Sequence, residues 1–275
     1  MRRLAAVPLL LALASCADPT TVQPRASDTT SPPAHSYAAD GAVLTVTRVG
    51  GLLPRETIST LPLWALYGDG RVLTEGPVPA IYPGAAMPNL RVTRVDAATI
   101  DRLTARAREA GVDGQERDYG DPPVADATTT VFRLSDERGT VTLRVYALSE
   151  ADGGVTAEQA AARKRLRDFL ASLTDGSLGP DDEAYEPTAV AVYARPYVRD
   201  ASDAQLREQV VAWKGADPAL GADKPAGRCT VVTGDALATV LPDLRRANTL
   251  TRWTFEGKSW RFGLRPLLPD ERDCP

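Results

Sequence analysis

Five carboxylates, Asp113, Glu116, Asp118, Asp121 and Asp126, make up the densest group of potential metal ligands in the chain. Carboxylates on a loop can hold Ca²⁺, but a dedicated calcium loop alternates its ligands and closes on a Glu, and this spacing does neither. Asp121 and Asp126 could be imagined as the acid and base of glycoside hydrolysis, which needs two carboxyl groups at a fixed separation beside a sugar-sized cleft. The sequence shows neither the separation nor the cleft. Nucleophilic chemistry is narrower still. His35 is the sole histidine, so a two-histidine metal site is excluded and a Ser/His/Asp triad has no usable imidazole. None of the four lysines stands in a Ser-x-x-Lys setting. Gly68-Asp69-Gly70 lacks the following helix and the Lys-Ser/Thr of a phosphate loop and reads as a turn. No catalytic residue, metal site or cofactor is expected.

The remaining reactive groups are three cysteines. Arg2 and Arg3 precede an apolar run, Leu4 to Ala14, that is too short to span a bilayer, for which about 20 residues are needed. Residues 1–15 therefore read as a secretory signal peptide. Leu13-Ala14-Ser15-Cys16 resembles the lipobox of bacterial lipoproteins, and that resemblance implies cleavage before Cys16 and a diacylglycerol group on its thiol. Two acyl chains anchor a protein stably to a membrane where one gives only reversible binding. Cys229 and Cys274 are left as an even pair in an exported protein, where oxidising conditions predict a disulfide.

The elements that must position these groups follow from periodicity. Residues 16–40, the lipidated Cys and a tether of Thr, Ser, Pro, Ala and Asp, have too little apolar surface to fold. Order is expected from Gly41. Ala42 to Val49, Leu61 to Tyr67, Asn89 to Val95, Thr128 to Leu134 and Thr140 to Leu148 read as strands. Asp96 is placed to cap a helix that Gly111 stops, and Thr156 with Gln159 has capping-box spacing for a helix to Leu173. Arg163, Lys164, Arg165 and Arg167 read as that helix's solvated face. Residues 176–187 form a linker between an N-terminal module, 41–175, and a C-terminal module, 188–275. In the latter, Thr188 to Ala194 and Cys229 to Val232 are strands, Thr233 starts a helix, and a hairpin turns at Glu256-Gly257. Strand, helix and hairpin recur in both modules, which predicts a shared topology. The expected class is α+β, two modules of antiparallel sheet each covered by a helix.

Leu66-Tyr67-Gly68-Asp69-Gly70-Arg71-Val72, Tyr119-Gly120-Asp121 through Asp126-Ala127-Thr128-Thr129-Thr130, and Arg265-Pro266-Leu267-Leu268-Pro269-Asp270-Glu271 carry a likeness to a group of uncharacterised lipoproteins of actinobacteria. These are turn and strand patterns, so the resemblance implies no activity. With 32 basic against 36 acidic residues, a phosphate-tracking nucleic-acid surface is not expected. The proline-rich stretch Gly76 to Pro88 either packs on its own domain or presents Ile81, Tyr82 and Met87 to a partner, and a peptide binder would show an exposed apolar patch around Ile81, Tyr82 and Trp64. The reading is a non-catalytic lipid-anchored protein on the extracytoplasmic face of the cell membrane, with a binding or envelope-structural role and a protein, peptide or envelope partner. The alternatives are a carboxylate-based hydrolase of cell-wall glycan and a carrier of a small ligand or peptide.

Overall fold

The computed structural model describes residues 37–52, 60–150, 152–179 and 183–275. Residues 1–36, with Cys16 and His35, lie outside the described residues. Seven strands form the first sheet: β1 (Ala42–Gly50), β2 (Trp64–Tyr67), β3 (Arg71–Glu75), β4 (Leu90–Arg94), β5 (Thr128–Asp136), β6 (Gly139–Tyr146) and β7 (Glu183–Ala184). Their order is β6-β5-β1-β2-β3-β4-β7, antiparallel throughout. Helix α1 (Ala97–Ala110) joins β4 to β5, which point the same way with three strands between them, so the connection crosses the face of the sheet. The Asp96 carboxylate accepts from the Thr99 amide at 2.8 Å and starts the helix; Gly111 ends it at a φ of 120°. Helix α2 (Ala157–Thr174) opens on the capping box of Thr156 and Gln159. Ile100, Leu103 and Ala107 of α1 share one core with Leu166, Phe169 and Leu173 of α2 and with Leu44, Val46, Trp64, Leu66 and Phe132 of the strands.

The second sheet contains β8 (Ala189–Pro196), β9 (Val210–Ala212), β10 (Ala222–Lys224), β11 (Gly227–Thr233), β12 (Arg252–Phe255) and β13 (Lys258–Pro266), in the order β10-β11-β8-β13-β12-β9. Among the described residues only the β9–β12 pairing is parallel. Helix α3 (Gly234–Arg246) sets Leu237, Val240 and Leu244 in a core with Val190, Val192, Trp253 and Phe262. Its N-cap, Thr233, makes no side-chain capping bond. The expected shared topology is not found. In the first sheet the hairpin's first strand, β5, lies inside, whereas in the second its last strand, β13, lies inside against β8. The class is mixed α+β with two antiparallel-rich sheets and three α-helices among the described residues, and none of those helices is long and apolar enough to cross a membrane.

Residues from Ala34 onward form one compact unit. Two connections tie its sheets together. The proline-rich stretch leaves the first sheet and docks on the segment that follows α3, with the Ala86 amide donating to the Ala247 carbonyl at 3.0 Å and the Thr249 amide to that of Gly84 at 2.9 Å. The C-terminal tail, residues 267–275, makes the other. Leu268 packs on Ala65, Tyr67, Leu73 and Val92 of the first sheet, while Leu267 packs on Ala189, Ala191 and Tyr193 of the second. At the other end the chain already contacts the fold at Tyr37. Asp40 pairs with Arg71 at 2.6 Å, and the Ala38 carbonyl lies so close to Gly68 that a Cβ there would stand 2.2 Å away.

Cys229 and Cys274 form a disulfide across 45 residues, and it fixes the tail to β11. A loop of that size corresponds to about 4 kcal/mol in the chain-entropy account. Replacing both cysteines by alanine is expected to lower the unfolding free energy by about that amount in urea titrations; an unchanged midpoint would mean the bond adds nothing to the tail's other anchors.

Candidate functional site

The tail is held by side chains from both sheets, and one cleft is lined in part by the tail itself. Tyr67 on β2 donates its hydroxyl to Asp270 at 3.1 Å, Tyr185 after β7 donates to the Leu267 carbonyl at 2.8 Å, and Tyr193 on β8 donates to the Pro275 carbonyl at 2.8 Å. Arg265, buried at the end of β13, grips Glu271 through two bonds of 2.5 and 2.8 Å, and Glu271 also accepts from the Leu268 amide at 2.8 Å. Lys224 donates to the Cys274 carbonyl at 2.8 Å. Burial pushes all three phenols up: Tyr67 far up, with the Asp270 charge adding to the effect, Tyr185 to about 12, and Tyr193 above its ordinary value.

A polar cleft of about 270 Å³ lies beside the tail, lined by Thr45 and Thr47 of β1, Thr60, Arg133 of β5, and Asp270 and Glu271. A more apolar pocket of about 360 Å³ lies between the sheets, with Met87, Pro88, Leu90, Tyr185, Pro187 and Pro266 in its walls and the Arg245–Glu186 ion pair beside them. The carboxylates of the polar cleft are engaged: Glu271 is held by Arg265, and Asp270 accepts from Tyr67. What faces solvent is a set of hydroxyls, the exposed Asp270 carboxylate and the Arg133 guanidinium, groups that recognise a ligand by hydrogen bonds and charge.

Residues singled out from sequence are scattered. Asp113 is bound by Arg117 through bonds of 2.6 and 2.7 Å, which hold its carboxyl down at about 2, and Asp118 accepts from Gln159 and the Gly120 amide. Asp121 and Asp126 are exposed. No group of three or more metal-ligating side chains occurs among the described residues. Trp64 does not join Ile81 and Tyr82. It is fully buried against the helices, because β2 is covered on both faces, whereas Ile81 and Tyr82 stand 67% and 64% exposed on the far side of the proline-rich loop. Tyr82 donates to Asp203, in the segment between β8 and β9, at 2.9 Å.

Arg163 corrects the expectation of a solvated basic face. It is fully buried, donates to the carbonyls of Tyr119, Tyr146 and Ala147, and pairs with Asp152 at 2.9 Å. Arg167 and Arg163 together hold the Asp152 carboxyl at about 2. The tyrosine clamp on the tail was also missed, and Cys274 was the one sequence signal that the tail is fastened at all. No known protein family matches the chain, and no match to it is found among curated proteins or solved structures.

A phenol raised from 10 in the unfolded chain to about 12 in the fold stabilises the fold fully below pH 10, and this contribution is lost as pH rises through 12. Tail attachment is therefore expected to weaken between pH 10 and 12, read as increased proteolysis after Pro266 at pH 11 relative to pH 9. Tyr67→Phe, which removes the donor to Asp270, is expected to cost about 1 kcal/mol in urea unfolding at pH 7; equal stability would show that bond to be idle.

Proposed function

We propose that the chain is a lipid-anchored protein of the extracytoplasmic face of the cell membrane that binds a protein, peptide or envelope component and does not catalyse a reaction. The observation that carries this reading is the Cys229–Cys274 disulfide, because such bonds persist in oxidising compartments and are rare in the cytoplasm. It agrees with the export signal in residues 1–15 and the lipobox ending at Cys16. In this reading each module is a sheet covered on one face by helix, and the opposite faces meet at the tail. Binding is favoured over hydrolysis because an acid and base pair needs two carboxyl groups free to exchange protons with substrate, and at the polar cleft Glu271 is held by Arg265 through both oxygens, which leaves Asp270 alone open to a ligand. The apolar pocket of about 360 Å³ favours a second reading, a carrier of a small ligand, since its size and its place between modules match ligand sites generally.

Mass spectrometry of protein extracted from membranes tests the anchor. An N-terminal peptide beginning at Cys16 with a thioether-linked diacylglycerol is expected, and an unmodified start at Ala17 would sink it. Turnover of cell-wall glycan by the soluble protein, lost on Asp121→Asn or Asp126→Asn, would overturn the non-catalytic part.

A further inference from the structure

The outer face of the first sheet is divided. Over β2, β3 and β4 it carries Tyr67, Leu73 and Val92 and is covered at Leu268. Over β1, β5 and β6 the same face carries Thr45 beside Arg133 beside Thr142, and Thr47 beside Val131 beside Arg144, in register. Arg133 and Arg144 are exposed and occupy diagonal positions on adjacent strands, about 7 Å apart. Neither pairs with a carboxylate among the described residues. Like charges set close together on a sheet disfavour it, and among the described residues no carboxylate forms an ion pair with either guanidinium, although Asp270 lies along the same cleft as Arg133. An anion between the two guanidiniums would relieve the repulsion through charge-assisted bonds.

The ground next to this pair is rich in hydroxyls. Thr45, Thr47 and Thr60 line the polar cleft of about 270 Å³ that runs from Arg133 to the tail. Asp270 accepts from Tyr67 through Oδ1, leaving Oδ2 to accept from a ligand hydroxyl. Glu271, also at the cleft, is neutralised by Arg265. Paired cations beside a row of hydroxyls and one carboxylate acceptor complement a polymer that carries both anionic groups and many hydroxyls. We propose that this open half-face binds an anionic sugar polymer, with its acidic groups at Arg133 and Arg144 and its hydroxyls at Thr45, Thr47 and Asp270. The proposal rests on the reading of a binding protein and names its ligand class.

The test uses unacylated protein beginning at Ala34, the start of the compact unit, so its outcome is independent of lipid attachment at Cys16. In affinity gels, polygalacturonate is expected to retard the protein, neutral dextran to leave it unretarded, and polyglutamate to retard it more weakly. Arg133→Gln together with Arg144→Gln is expected to lower polygalacturonate affinity at least tenfold without lowering the thermal midpoint, since both side chains are exposed and their removal relieves repulsion. Thr45→Val with Thr47→Val, which leaves the charge intact, is expected to weaken polygalacturonate binding but not polyglutamate binding. Absence of retardation, equal retardation by polyglutamate, or a double arginine variant that binds like the parent would overturn the proposal.

Discussion

Nine residues at the C-terminus have to be accommodated between two sheet faces, and most of the architecture follows from how this is done. Successive side chains of an extended segment point to opposite sides, so Leu267 and Leu268 each find a different sheet. Burying each is worth about 1.5 to 3 kcal/mol. Packing alone would leave the tail's polar groups unpaired away from water, a cost similar in size. The hydroxyls of Tyr67, Tyr185 and Tyr193 and the Arg265 guanidinium meet those groups, and the disulfide limits how far the tail can leave when one bond opens.

This constraint explains the composition of the strands around it. β2 reads Trp-Ala-Leu-Tyr with all four residues buried, and β8 begins with six buried residues. Strands covered on both faces lose the alternation that marks a half-exposed strand. It also explains why one sheet face is apolar at β2 to β4 and polar at β1, β5 and β6. The boundary between covered and open halves runs along the tail, and the polar cleft lies there. The solvent-facing hydroxyls and cations of that half thus have a packed core on the reverse side of their strands.

Local signals in the sequence were legible. Asp96, Gly111 and the Thr156–Gln159 box mark helix ends through contacts made within a few residues, and the structure has those contacts. Strands β7, β9 and β10 have two or three residues each, too few to display a period. Non-local chemistry was hidden. Tyr67 meets Asp270 across 203 residues, and nothing near either one announces the other. Arg163 sits among three other basic residues and looks like a solvated side chain until the carbonyls of Tyr119, Tyr146 and Ala147 converge on it. Trp64 looked available because an apolar run gives no sign of which faces are covered.

The claim that the tail holds the two sheets together is tested most directly by hydrogen exchange on a chain ending at Pro266. The account predicts that amides of β2 and β8 lose protection together, while those of α1 and α2, whose core does not touch the tail, keep theirs. Unchanged protection in β2 and β8 would contradict it.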